Sequence, residues 1–438
     1  MKICIYEDKG YKRFGSLVDT RAVWDLRCGA LTIAEKLMLQ LRSPLPYFHV
    51  RRSLSALYRE RMTGESRINP KLDGETVLFI NGRIILDEIT SDFLTNDNSP
   101  CAYVSENTLV AFRLSKEKLG EISLDDEDYI TPGIISGLPV REVSVTEIKY
   151  PWDILSLNVT QISSDLELAQ RIFPAVKTET PSDVITRGSE NILSPGKVTI
   201  GAGVIMDAEE NIIRFENDVN IKSGAILEAG DGSIWIAESV VIEAGAIIKG
   251  PAYIGPKSIV RSEARLSDGV SLGPQCRVGG EISSVIMQGF SNKQHSGYLG
   301  NSYLGSWVNL GAATDNSDLK NNYRPISVML HGEEIDTGSL HIGVFLADFT
   351  RTAIHTRLNS GTIVGVCCNL FGNNFPTKDI PAFTWFGEGG YSIYKPEKAL
   401  ETIRVVMDRR GMELTPAMET LLRNIFEATA GQRHNLMH

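Results

Sequence analysis

The sequence predicts a parallel β-helix, preceded by a mixed α/β domain and followed by a short helical segment. Three observations predict the β-helix. Ile236, Ile242, Ile248, Ile254, Val260, Leu266, Leu272 and Val278 fall six residues apart without a miss. The residues four places after them (Val240, Ala246, Ala252, Ser258, Ala264, Val270 and Cys276) are small or slim, so each hexad offers one large and one small inward position. Gly250, Pro251, Gly255, Pro256, Gly273 and Pro274 break the chain where corners are needed. An α-helix would need apolar residues near a 3.6-residue spacing, and a single strand does not run beyond about 10 residues. A six-residue period therefore means short strands that cannot bury a face alone and stack coil upon coil.

The elements follow in chain order. Residues 1–165 lack the hexads and carry α/β signals: a strand at Lys2 to Tyr6, a helix from Leu31 to Leu41, and an apolar strand at Thr76 to Ile80. Residues 166–196 are predicted to be a linker, because VKTETPSDVITRGSEN is polar and rich in turn formers. The β-helix is expected over 197–375: regular to Val278, then broken, then resuming in outline from Leu304 and Leu310. Residues 376–438 form the helical extension. One helix starts at Pro396 and stops at Gly411. A second opens with Thr415-Pro416 and places Met418, Leu421, Leu422 and Ile425 on one face, for packing against the prism or a neighbouring subunit.

Composition restricts function. A formal net charge of -10 over 438 residues argues against a broad nucleic-acid or membrane surface, since phosphate backbones demand concentrated Lys and Arg. The start, MKICIYEDKGYK, holds no apolar stretch suited to a signal peptide, and no segment approaches the roughly 20 apolar residues of a membrane span. A cytoplasmic location is expected. Cys4, Cys28, Cys101, Cys276, Cys367 and Cys368 contain no CxxC pair and read as reduced structural thiols, with Cys367 and Cys368 pointing to opposite faces of a strand.

Chemistry is expected where the hexads break. After Val278 the chain turns to a Gly-, Asn- and Ser-rich stretch holding His295, Tyr298 and Asn309, with Lys293 and Lys320 nearby. A smooth prism offers no pocket, so irregular coils are where one can be built.

The hexads resemble the left-handed, triangular hexapeptide-repeat fold, and NKQHSGYLGNSYLGSWVNLGAA is similar to the acetyltransferase active-site coil of the bifunctional N-acetylglucosamine-1-phosphate uridyltransferase/glucosamine-1-phosphate N-acetyltransferases. The shared spacing is His-x-x-Tyr-Leu-Gly followed by Val-Asn-Leu-Gly-Ala. The resemblance implies that His295 is the general base toward a sugar amine attacking acetyl-CoA, a task suited to an imidazole. It implies that Tyr298 and Asn309 hold the amino sugar phosphate and that the Ala312 N–H faces the developing oxyanion. Lys293 and Arg277 are expected as phosphate contacts. TDNSDLKNNY resembles a divergent bacterial branch, in which Lys320 would touch substrate or CoA.

The amino-terminal part resembles the same branch through DTRAVWDLRCGALTIAEK, INGR at Ile80 to Arg83, and YPWDILSLN ending at Asn158. This similarity implies a nucleotidyltransferase-like α/β domain acting with UTP. The family's Gly-rich start is missing; Arg27, Gly29 and Lys36 remain as the phosphate-binding set. Asn81 and Asn158 stand where the family's Mg²⁺ ligands would be, although an amide is a poorer Mg²⁺ ligand than a carboxylate. The alternative is an acetyltransferase alone, with an amino-terminal domain that binds nucleotide or steadies the assembly.

Other motifs carry less. Gly201-Ala202-Gly203 fails as a dinucleotide fingerprint because Met206 occupies the third glycine position. Hexapeptide-repeat folds also include zinc-dependent carbonic anhydrases; His331, His341 and His355 lie in the corresponding half, but the short His-x-x-x-x-His spacing is absent. A non-catalytic trimeric scaffold would leave His295 without a role. The resemblance implies a homotrimer with sites between adjacent prisms.

Overall fold

The computed structural model describes residues 2–62, 67–70, 76–120 and 128–438. The chain divides into two compact units, one comprising Met1–Leu26, Leu31–Tyr150 and Met407–Asn424, the other Arg27–Ala30, Pro151–Val406 and Ile425–His438.

The first unit is built on a six-stranded mixed sheet. Its strands are β1 (Lys2–Tyr6), β2 (Tyr47–His49), β3 (Val77–Asn81), β4 (Cys101–Ser105), β5 (Thr108–Leu114) and β6 (Val140–Glu142), in the order β2-β1-β3-β5-β4-β6. The strand expected at Lys2 to Tyr6 and the apolar run ending at Ile80 are both present and pair in parallel. The helix expected near Leu31 is α1 (Ile33–Gln40), opened by a capping box: Thr32 accepts from the Glu35 N–H and Glu35 reaches back to the Thr32 N–H.

The second unit begins with a long helix, α2 (Pro151–Ile172), which runs past residue 165. Residues 166–196 are therefore not a linker: they finish α2 and then supply strands Val176–Lys177, Ile185–Arg187 and Ile192–Ser194, which join the sheets of the β-helix. From there three columns of short parallel strands stack into a three-sided prism. Its register explains the hexads. Ile236 pairs with Ile254, Ile242 with Val260 and Ile248 with Leu266, so each partner lies three hexads on, one full circuit of the prism. All eight large residues of the series are buried in one continuous core, together with the small ones Val240, Ala246, Ala252, Ala264, Val270 and Cys276. Ser258 is buried too, its hydroxyl donating to the Gly273 carbonyl at 3.2 Å.

One side of the prism is covered within this unit. Trp235 and Tyr253 stack edge to face on it, 5.3 Å between ring centres, and pack with Ala30 and Ile162. Phe345 meets Trp152 of α2 further along. This cover explains why Tyr253 and Phe345 point away from the core and still avoid water, with Trp235 partly covered.

After Val278 the circuit changes in a physical way. Two strands, β7 (Glu281–Gly289) and β8 (Tyr298–Ser306), are long enough to run through a corner; Ser284 and Asn301 turn there at φ 54° and 46°. Between Leu304 and its stacked partner Leu346 the chain leaves the prism and makes an antiparallel hairpin, Ser327–Leu330 with Glu333–Asp336. Strand stacking continues through Thr384–Gly387, beyond the expected end at 375. Cys367 lies in a corner at φ 59° rather than on a strand, and both it and Cys368 are buried. All six cysteines are free and buried.

The chain ends in three helices, α3 (Pro396–Asp408), α4 (Pro416–Ala428) and α5 (Ala430–Met437), of which the last was not foreseen. Met418, Leu421, Leu422 and Ile425 are all buried, as their shared face requires. Among the described residues no helix is long and apolar enough to cross a membrane.

Candidate active site

The irregular coils after Val278 carry a cavity of about 230 Å³, lined by Asn292, Gln294, His295, Asn309, Leu310, Gly311, Ala312 and Ile354. Three residues singled out by sequence, His295, Asn309 and Ala312, thus share one concave surface. His295 sits at an exposed corner between the strand Asn292–Lys293 and β8. Asn309 occupies the next rung above Asn292 and bridges it in parallel; the Asn292 amide donates to Asn309 Oδ1 at 3.3 Å. Both backbone groups of Asn309 are bound, its N–H to Thr350 and its carbonyl by the Thr352 N–H, so its amide is held at a fixed height on the wall. The Ala312 carbonyl accepts from the His355 N–H at 2.7 Å, whereas among the described residues its own N–H has no protein acceptor. A free N–H in a cavity wall is a donor in search of an oxygen.

The sequence reading missed Asn292, Gln294 and Ile354. Asn292 is the parallel partner of Asn309, a relation visible only once the register is known. Ile354, 67% exposed, is an apolar side chain on the cavity wall that no spacing rule distinguishes from a core isoleucine.

The other site residues lie elsewhere. Tyr298 is on β8 and outside the cavity wall; its hydroxyl donates to Asp318 Oδ2 at 2.8 Å, where Asn301 also donates at 2.7 Å. Burial, reinforced by that carboxylate, pushes the Tyr298 hydroxyl well above the ordinary phenol value, so it acts as a fixed donor rather than a base. Gly300 makes this possible, since a Cβ there would stand 2.1 Å from the Tyr298 hydroxyl oxygen.

Lys293 is not a phosphate contact. It pairs in register with Val278, an inward position, is 0% exposed, and its ammonium donates to the carbonyls of His295 at 2.6 Å and Ser296 at 2.8 Å. Arg277 lies in the same strand column as Asn292, its parallel partner, and is half-buried. Lys320 donates to the Pro325 carbonyl at 2.7 Å within the excursion that carries the hairpin, and does not line the cavity.

The amino-terminal set is not assembled as expected. The backbone N–H of Arg27 donates to Gln288 and Tyr303, while its guanidinium donates to the Ala30 carbonyl and lies 5.4 Å from the Tyr253 ring centre. The Gly29 N–H donates to Asn158 Oδ1 at 2.8 Å and its carbonyl accepts from Ser271. Its φ of +83° and a Cβ position only 2.6 Å from Asp165 Oδ2 leave room for glycine alone. Arg27 and Gly29 thus fasten the 27–30 segment to the covered side of the prism rather than cradling phosphate. Lys36 is buried in α1 of the other unit.

Asn81 and Asn158 do not fit a magnesium ion. Asn158 is buried, accepting from Gly29 and donating to the Gly269 carbonyl at 2.7 Å. Asn81 is equally buried; its amide donates to Asp8 at 2.9 Å and to the Leu109 carbonyl at 3.1 Å, and its oxygen accepts from the Arg83 N–H. Asp8 is itself held by Arg83, whose other side reaches Glu147 at 2.6 Å. Burial raises the Asp8 carboxyl, but its bonds and attraction to Arg83 outweigh that and hold it below the ordinary carboxylate value. This is a neutralised internal network, not an open ligand set. Among the described residues no group of three or more His, Cys, Asp or Glu is placed to hold a metal, and His331, His341 and His355 do not form one.

Residues 3–172 match the sugar nucleotidyl transferase family model. The chain is 28% identical over 126 residues to a bifunctional sugar-1-phosphate nucleotidylyltransferase/acetyltransferase of Sulfurisphaera tokodaii, covering 29% of this chain and 30% of that protein. It is 29% identical over 135 residues to the bifunctional protein GlmU of Bordetella parapertussis, covering 30% of this chain and 25% of that protein. Each match thus spans under a third of the relative's length. Among solved structures, an Arabidopsis UDP-N-acetylglucosamine acyltransferase aligns with 59% of this chain and 92% of its own, at 12% identity and a TM-score of 0.27.

Proposed function

We propose that this chain, which carries a sugar nucleotidyl transferase family domain at its amino end and similarity to bifunctional nucleotidylyltransferase/acetyltransferases, is a transferase whose prism moves an acetyl group from acetyl-CoA to the amine of an amino sugar phosphate, glucosamine 1-phosphate being the first candidate. The observation that carries this reading is the shared wall of His295, Asn309 and the unsatisfied N–H of Ala312. The sugar nitrogen attacks the thioester carbonyl carbon, a C–N bond forms, and His295 takes the amine proton. Negative charge gathers on the carbonyl oxygen, where the Ala312 N–H receives it. The C–S bond then breaks and CoA leaves as a thiolate. Asn309 orients the sugar. The chain is proposed to act as a homotrimer in the cytoplasm, a neighbouring prism completing the open side of the cavity. The deciding experiment is release of CoA thiol from acetyl-CoA with glucosamine 1-phosphate and with other sugar phosphates; no release with any amino sugar phosphate would end this reading.

Within this mechanism Asn309→Ala should act on binding. It should raise KM for the sugar phosphate roughly tenfold, about the 1.4 kcal/mol of one hydrogen bond to a charged or polar ligand, with a smaller effect on kcat, whereas Tyr298→Phe, whose hydroxyl is bonded to Asp318 outside the cavity, should leave KM near the parental value. Steady-state kinetics with the sugar varied checks this.

For the amino-terminal domain we propose uridylyl transfer to N-acetylglucosamine 1-phosphate. The internal commitment of Asn81 and Asn158 favours a second reading, a domain that binds UTP or supports the fold without turnover. Pyrophosphate release from UTP and the sugar phosphate separates the two. Because those amides are buried and bonded, Asn158→Asp should place a carboxylate beside the Gly269 carbonyl and lower thermal stability rather than install a metal site. A melting temperature equal to that of the parent would contradict the structural assignment.

A further inference from the structure

One inward column of the prism runs Ile221, Ile242, Val260, Val278 and then Lys293. Leu310 continues it, since it follows Asn309, the bridge partner of Asn292; Thr352 comes next, following Arg351 in the same ladder. The column is therefore aliphatic up to Val278, and near the cavity it holds Lys293 and Thr352 on either side of Leu310. Lys293 is wholly buried, and both of its ammonium contacts are to the backbone of the cavity corner: the carbonyls of His295 and Ser296. Thr352 does the same one corner above, its hydroxyl accepting from the Gly311 N–H at 3.0 Å beside the Ala312 turn. A buried ammonium is an expensive choice for a core slot that six neighbouring rungs fill with hydrocarbon or hydroxyl, and here it reaches only the corner that presents the imidazole.

We propose that Lys293 is a positioning residue for His295: it anchors the 294–297 corner from inside the prism and fixes the height at which the imidazole meets the acceptor amine. This rests on the acetyl-transfer reading given above. The anchor works through N–H donors rather than charge. Burial pulls the Lys293 ammonium down to about 8, with the nearby Asp315 opposing, and the neutral amine still offers two N–H groups for two carbonyls. The tether therefore persists whether or not the proton is present.

The experiment uses the full-length chain with Lys293→Met and Lys293→Gln, read by melting temperature, acetyl-transfer kinetics and backbone hydrogen exchange. Replacing a buried charge by a hydrocarbon of similar length is often neutral or stabilising, so Lys293→Met should melt at or above the parent temperature. Its kcat should nonetheless fall about 10- to 100-fold, since a displacement near 1 Å has that cost, with KM for acetyl-CoA little changed. Exchange should quicken in peptides covering 294–297 and stay at parental rates in peptides covering 252–260. Lys293→Gln, which keeps two N–H donors, should recover part of the kcat. Parental kcat and parental exchange in Lys293→Met would overturn the proposal. So would insolubility, or a general rise of exchange along the prism, because the lysine would then be supporting the fold at large. If the parent protein transfers no acetyl group, the functional reading fails by itself, and the exchange measurement still decides whether Lys293 tethers the corner.

Discussion

His295→Ala should lower acetyl transfer by roughly 10²- to 10⁴-fold, the usual contribution of a placed general base. The residue is exposed at its corner and its side chain has no protein partner among the described residues, so truncation should leave the prism's melting temperature unchanged. KM for both substrates should move little, because the imidazole is assigned to proton transfer and not to holding either one. The check is kcat for parent and mutant at saturating substrates. Near-parental turnover in the mutant would eliminate the mechanism.

The second large effect belongs to the core. Ile254 is fully buried, stacked between Ile236 and Leu272 in one column. Ile254→Asp would set an unpaired carboxylate among hydrocarbon, at a cost on the order of 3–5 kcal/mol, comparable with the whole stability of many domains. Because each coil touches only its neighbours, the damage should first appear as loss of protection in adjacent rungs and then as loss of soluble protein. Lys257 supplies the control. It is exposed at a corner with φ 58°, a backbone that Asp tolerates, so Lys257→Asp should melt within a degree or two of the parent. A normally folded Ile254→Asp protein would mean that the hexads do not face inward.

The contrast between regular and irregular coils explains what could be read from sequence. From Ile236 to Val278 each circuit has the same length, so period and burial coincide and inward residues are legible one by one. Beyond Val278 the circuit shortens, β7 and β8 run through a corner without a Gly-Pro break, and Lys293 enters an inward slot. No hydrophobic pattern can announce an inward lysine; its nearness to His295 in sequence instead made it look like a ligand contact. That His295, Asn309 and Ala312 lie close together was legible because their short sequence spacing survives the irregularity, and they share one cavity wall. The internal bonding of Asn81 and Asn158 was hidden for the opposite reason. Their positions matched a motif, but the groups that occupy them, Asp8, Leu109, Gly29 and Gly269, lie far off in sequence.

Leu304 stacks on Leu346 although the chain between them leaves the prism and builds a hairpin of its own. The ladder thus records only which residues meet and is blind to the path that joins them. Lengthening such a detour adds little closing entropy, each doubling costing about 0.6 kcal/mol. The architecture consequently separates two inheritances: a rigid column whose residues are bound by their neighbours, and a side excursion that is free to gain or lose surface without re-indexing a single rung.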